Sequence, residues 1–218
     1  RLRIEEDKAI VLRTLANFCS EFGQFNVAEF YYQKAIDLYI KLSKKDERHM
    51  EDLAKLLNNV GNIYMDTRKY GLAEESYKWS ASLFRELNMK KELAIVLDNL
   101  AIMYTKGEML DKAEKTFAEV VDIKKELAKE NIEEAISFAM TLNNLGVLYR
   151  KMRKYEEVEK CYRKVIRVLS EFKEKEEVKS HLASVFNNLG SLLVEQGKVA
   201  EGIHYLNKAI NEYGKYLD

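Results

Sequence analysis

Five stretches of the chain repeat one template: LANFCSEFGQFNVAEFYYQKAI, NVGNIYMDTRKYGLAEESYKWSA, NLAIMYTKGEMLDKAEKTFAEVV, NLGVLYRKMRKYEEVEKCYRKVI and NLGSLLVEQGKVAEGIHYLNKAI. Such recurrence constrains the fold more than any single residue, because each copy is one supersecondary unit that buries its apolar face only against its neighbours. The sequence is therefore read as a single array, 1–218, with repeats near 9–45, 54–90, 94–130, 139–175 and 183–218. Length alone would suggest one or two ordinary domains. The 218 residues contain no proline, where average usage would give about eleven. Uninterrupted helix is the simplest account, since proline removes a donor and clashes with the preceding turn.

Each copy can be numbered so that its small residue, Ala16, Gly61, Ala101, Gly146 or Gly190, is position 8. Position 4 is then Leu12, Leu57, Leu97, Leu142 or Phe186, position 7 is leucine or valine, and position 11 is Cys19, Tyr64, Tyr104, Tyr149 or Leu193. That spacing is one face of an α-helix, helix A, with a small group where a neighbouring helix approaches. A short polar turn follows, and position 17 (Phe25, Tyr70, Leu110, Tyr155, Val199) opens helix B. Positions 20, 24 and 27 alternate small and large groups, so that large groups of one helix fill gaps left by small ones of the next. Short connections make each pair antiparallel.

These residues resemble the tetratricopeptide repeat, whose signature sets a Leu-Gly pair, a tyrosine, and then alanine and aromatic residues at these offsets. The resemblance covers roughly residues 9–214. Position 8 recurs at intervals of 45, 40, 45 and 44 residues rather than 34, and the usual closing proline is missing. With its LNNLG-x-LY phrase, the chain looks like the long-repeat kinesin light chain subtype. The resemblance implies an all-α fold, an α-α superhelix (solenoid) of about five helix-turn-helix repeats, whose A helices line a concave groove that binds partner polypeptide. The extra residues lengthen the helices on this reading. Asn131 with Glu134 reads as a capping box, whereas EFKEKEEVKSH before the fifth repeat has no comparable stop.

Position 6 of helix A is Asn59, Asn99, Asn144 and Asn188 in four consecutive repeats. Asparagine is an indifferent helix former, and a carboxamide both donates and accepts, so this row is expected either to hold the backbone of an extended peptide or to bond within the array. Arg13, Asn17 and Asn59 match the first half of the clamp with which some family members capture a free C-terminal carboxylate; Asn62, at position 9 of the second repeat, also lies on the expected groove face. The second half fails at Ile95 and Asn99. Ile95, Ile102, Met140 and Val147 occupy positions 2 and 9 of repeats three and four, flanked by Lys55 and Arg13 and by Arg150 and Lys151. They are expected to form either an apolar anchor pocket or ordinary core. Trp79 is expected to be a partly buried packing residue on helix B.

The 36 basic and 36 acidic side chains cancel, which argues against a nucleic-acid partner. Cys19 and Cys161 read as reduced structural thiols, and His49, His181 and His204 lack metal-ligand spacing. No catalytic constellation, cofactor motif or membrane-spanning run stands out. The expected function is a non-catalytic, cytoplasmic scaffold for a protein or peptide. The alternative is a sensor arm cut from a larger signalling or transcriptional regulator, and the start on Arg1 fits a processed or truncated end. Val199, Ile203, Leu206 and Ile210 on the last B helix are expected to have one side uncovered, to be closed either by self-association through this end or by a longer native chain.

Overall fold

A computed structural model describes residues 2–214; Arg1 and the last four residues of the fifth predicted repeat, 215–218, lie outside the described residues. Ten helices follow one another without a strand among the described residues: α1 Leu2–Glu21, α2 Phe25–Ser43, α3 Arg48–Asp66, α4 Tyr70–Glu86, α5 Lys90–Lys106, α6 Leu110–Leu127, α7 Ile132–Lys151, α8 Tyr155–Ser170, α9 Glu176–Glu195 and α10 Val199–Gly214. Every even-numbered helix begins at position 17, as the periodicity predicts. The A helices begin roughly one to two turns (3.6 residues each) before the predicted repeat boundaries, which is where much of the extra repeat length lies. No helix among the described residues is long and apolar enough to cross a membrane.

The chain divides into two compact units between Met109 and Leu110, within the third predicted repeat. In the first, α1 packs on α2, α2 on α3, α3 on α4 and α4 on α5; in the second the same holds from α6 to α10. Tyr32, Tyr39, Leu42, Leu57 and Val60 sit in the first core. Phe138, Leu142, Tyr162, Leu169 and Leu189 sit in the second.

Close approach at position 8 sets the hairpins α3/α4, α7/α8 and α9/α10. A Cβ on Gly61 would stand 2.6 Å from the ring of Tyr77 at position 24, and one on Gly146 would stand 3.2 Å from Tyr162. The last hairpin is tighter, since a Cβ on Gly190 would meet the carbonyl oxygen of Gly202 at 2.9 Å. Only a glycine pair admits backbone that close.

The turn from A to B is the same in all five repeats. Position 15 has positive φ, at Gly23 (71°), Arg68 (58°), Glu108 (60°), Arg153 (57°) and Gly197 (79°). The next N–H donates to the carbonyl five residues back in the Schellman pattern: Gln24 to Cys19 at 2.8 Å, Lys69 to Tyr64 at 2.7 Å, Met109 to Tyr104 at 2.9 Å, Lys154 to Tyr149 at 2.9 Å and Lys198 to Leu193 at 2.8 Å. These bonds satisfy carbonyls that a helix end otherwise leaves open.

The helix-start signals divide as the sequence suggested. Asn131 caps α7, its side chain accepting from the Glu134 N–H at 2.9 Å. The EFKEKEEVKSH stretch does contain a break: α8 stops at Ser170 and α9 starts at Glu176, joined by single-turn bonds from Phe172 to Leu169 and from Lys175 to Phe172. Trp79 is exposed rather than packed, because position 26 faces solvent and carries Lys34, Glu119, Lys164 and Lys208 in the other copies. Val199, Ile203 and Ile210 are exposed as expected, and Leu206 is half-buried. Phe18 on α1, Phe22 in the turn that follows and Phe30 on α2 are likewise exposed, which the sequence reading did not single out.

A left-handed residue other than glycine costs about 1–2 kcal/mol, offset in part by the roughly 0.5–1 kcal/mol of extra backbone entropy that glycine loses. Arg68→Gly and Arg153→Gly should therefore each raise unfolding stability by about 0.5–1 kcal/mol, while Gly197→Ala should lower it by about 1 kcal/mol. Denaturant midpoints read the effect, and a lower midpoint in both arginine variants would contradict it.

Candidate functional site

The polar residues of the A helices separate into three groups. Position 9 serves the fold: the buried Tyr32 donates its hydroxyl to Asn17 Oδ1 at 2.5 Å, and Tyr77 donates to Asn62 Oδ1 at 2.7 Å. Both asparagines thus bond the ring that packs under their own repeat's position 8. Val147 stands at this position in the fourth repeat and is exposed, while Ile102 in the third is half-buried.

The row at position 6 splits into two roles. Asn99 Nδ2 donates to Asn58 Oδ1 at 3.0 Å, and Asn188 Nδ2 donates to Asn143 Oδ1 at 3.5 Å. Each bond runs from position 6 of one repeat to position 5 of the preceding one and joins two A helices. Asn59 and Asn144 are half-buried, and among the described residues no hydrogen-bond partner is found for either carboxamide.

Asn59 and Asn144 instead border cavities. In the first unit a cavity of about 160 Å³ is lined by Lys55, Asn58, Asn59, Phe84, Glu92, Ile95 and Val96. In the second, a cavity of about 130 Å³ is lined by Asn143, Asn144, Met140, Leu169, His181, Ser184 and Val185 among others. Of the predicted site residues, the structure thus brings together Lys55, Asn59 and Ile95 around one cavity and Met140 with Asn144 around the other. Ile95 and Met140 are 51% and 56% exposed, so neither is core.

The predicted flanking cations are engaged. Arg13 pairs with Asp52 at 3.1 Å and lies over the Tyr39 ring, Lys55 pairs with Glu51 at 2.5 Å, and Arg150 makes a two-pronged contact with Glu195 at 2.7 Å. A carboxylate ligand would have to displace Asp52 from Arg13. The residues that sequence reasoning missed are Phe84, Glu92, Val96, Leu169, His181 and Val185. Phe84 and Leu169 belong to the last turn of a B helix, Glu92 and His181 to the added first turns of the next A helix, and Val96 and Val185 to position 3 of that helix, all outside the five repeated stretches.

A different polar network ties successive repeats on the B-helix side. Glutamate at position 21 accepts from the tyrosine at position 11 or the lysine at position 16 of the next repeat, or from both; Met109 replaces the lysine in the third repeat and Leu193 the tyrosine in the fifth. Glu29 takes Tyr64 at 3.1 Å and Lys69 at 2.6 Å, Glu74 takes Tyr104 at 2.8 Å, and Glu114 takes Lys154 at 2.9 Å together with Tyr149. Glu159 takes Lys198 at 2.8 Å and, with Arg163 beside it as well, its carboxyl is held below the usual carboxylate range. Burial, reinforced by the neighbouring glutamates, pushes the Tyr64 and Tyr149 phenols up to about 12. Burial likewise pushes the free Cys161 thiol up to about 12, which leaves it protonated and unreactive at neutral pH.

Models of the tetratricopeptide repeat match residues 52–126, 139–172 and 183–215. The chain belongs to the tetratricopeptide-repeat family. Its fold is the all-α solenoid of about five repeats, and solved structures that it resembles share that fold. One is BtubC (BKLC) from P. vanneervenii, at 18% identity and a TM-score of 0.78, with 99% of this chain and 91% of that one covered. A second is a putative kinesin light chain of Podospora anserina with nearly identical TPR-like repeats, at 15% identity and a TM-score of 0.67, covering 94% and 95%. A third is a Rap protein complexed with competence and sporulation factor, at 14% identity and a TM-score of 0.63, covering 97% of this chain and 55% of that one. No protein of curated function matches the sequence significantly.

Two predictions follow from these bonds. Asn62→Ala, which strands the buried Tyr77 hydroxyl, should cost about 1–3 kcal/mol, whereas Asn59→Ala should stay within about 1 kcal/mol of the parent. Equal melting shifts for the two would contradict this division. A phenol whose folded pKa exceeds its unfolded value near 10 favours the fold fully below pH 10, and that contribution is lost as pH rises toward 12. The Tyr64→Phe/Tyr149→Phe variant should therefore lose less stability than the parent between pH 10 and 12, and equal slopes would count against it.

Proposed function

We propose that this tetratricopeptide-repeat protein is a non-catalytic scaffold that holds a segment of a partner polypeptide along the A-helix face. The observation that carries this reading is the equivalent placement of Asn59 and Asn144, whose open carboxamides stand beside apolar cavities. A carboxamide in that setting can donate to a peptide C=O and accept from a peptide N–H whatever the side chains, while the cavities discriminate among those side chains. The exposed Ile95 and Met140 add apolar surface at the rim. That a Rap protein of this fold is complexed with a factor agrees with such a role. A second reading, an arm of a larger regulator, is favoured by this chain spanning 55% of that Rap protein. A native reading frame that ends near residue 218 would remove it.

Peptides selected from a random 12-residue display library test the scaffold reading. Their affinity should fall at least about tenfold, or 1.4 kcal/mol, in the Asn59→Ala/Asn144→Ala variant, with unfolding stability changed by no more than about 1 kcal/mol. Unchanged affinity, or a loss of several kcal/mol in stability, would overturn the assignment.

A further inference from the structure

The two cavities occupy the same place in the repeat. The first is built from positions 2, 5, 6 and 31 of repeat two (Lys55, Asn58, Asn59, Phe84) and from three residues of the next A helix, Glu92, Ile95 and Val96. The second uses the same positions of repeat four (Met140, Asn143, Asn144, Leu169) and the same three of repeat five, His181, Ser184 and Val185. Even the brace recurs, since the Asn at position 5 accepts from the Asn at position 6 of the next repeat in both. The match extends to seven register positions contributed by three helices in each unit. Such a match marks a repeated structural element rather than a packing accident.

Each cavity has an apolar floor: Phe84 and Val96 in one, Leu169 and Val185 in the other, all buried. Their volumes, about 160 and 130 Å³, bracket the ~150 Å³ of an engineered apolar cavity that stays dry and takes up benzene. That is the size of one leucine, methionine or phenylalanine side chain. The one open carboxamide in each lining, Asn59 or Asn144, sits at the rim where the backbone bearing such a side chain would pass.

We propose that the two cavities are homologous sockets, each taking one leucine- to phenylalanine-sized side chain of the bound polypeptide. This rests on the reading of the A-helix face as polypeptide-binding, and it specifies the ligand at each socket: a segment that presents one large apolar residue. The sockets differ at their mouths. Lys55 and Glu92 make the first charged, whereas Met140, His181 and Ser184 leave the second open to longer apolar contact. The first socket therefore accepts an anchor with charged neighbours, and the second favours uncharged ones.

Methyl-resolved NMR of the 218-residue chain tests this with N-acetyl-L-leucinamide and N-acetyl-L-phenylalaninamide as probes and N-acetylglycinamide as control. The leucine and phenylalanine probes should shift the Val96 and Val185 methyls saturably, and the glycine probe should shift neither. Ser184→Trp, whose ring is larger than the Ile95 that the first socket carries at the equivalent position, fills the second socket from an exposed position and should abolish the Val185 shift while leaving that of Val96 intact. Silent methyls, equal shifts with the glycine probe, or a persistent Val185 shift in Ser184→Trp would overturn the sockets. Selected peptides that depend on Asn59 and Asn144 would leave the scaffold reading standing in that event. Conversely, saturable shifts without any asparagine-dependent peptide would uphold the sockets and remove the scaffold reading.

Discussion

The structure depends on the contact between position 8 and the ring at position 24 within a repeat. With no Cβ on Gly61, Tyr77 lies directly on the backbone of α3, and its hydroxyl then meets Asn62 one residue further along. One steric allowance thus fixes both the separation and the rotation of the two helices. In the first two repeats the asparagine at position 9 thereby meets the ring hydroxyl, whereas Val147 at that position of the fourth is exposed, and positions 2, 5 and 6 are left to face the adjoining A helix and solvent. The last hairpin reaches the same end by other means: a glycine pair replaces the ring contact, and the helices come close enough for backbone to touch backbone.

Between repeats the polar contacts are divided by side. Glutamate, tyrosine and lysine form a recurring cluster on the B-helix side, and asparagine pairs brace the A helices. Exposed ion pairs such as Lys69–Glu29 contribute little individually. Their value is in register: a glutamate at position 21 that must meet a tyrosine at position 11 or a lysine at position 16 of the next copy rejects a slipped stack. The cluster stops at the fifth repeat, where position 21 is Ile203 and exposed.

Most of the fold was legible in the sequence because its determinants are local and periodic. Position 17 marked every B helix, and Asn131 marked the start of α7. The site was legible only in part. Composition showed a row of asparagines but could not show that Asn99 and Asn188 spend a donor on the preceding repeat while Asn59 and Asn144 do not. Nor could it show that Asn17 and Asn62 belong to buried tyrosines, since that bond depends on how far helix B rotates under helix A. The cavity walls at Glu92, His181, Phe84 and Leu169 escaped because they come from helix ends outside the repeated template. The added repeat length, which looked like mere elongation, contributes a wall of each cavity.

The central claim is that the open asparagines hold a ligand backbone while the tied ones hold the fold. The side-chain amide resonances of asparagine in a complex with a selected peptide test it most directly. The account predicts that the Asn59 and Asn144 amides shift and show cross-relaxation to peptide backbone protons, while those of Asn17 and Asn62 stay in place. Peptide contacts confined to the B-helix side, around Glu114 and Lys154, with Asn59 and Asn144 unmoved, would contradict it.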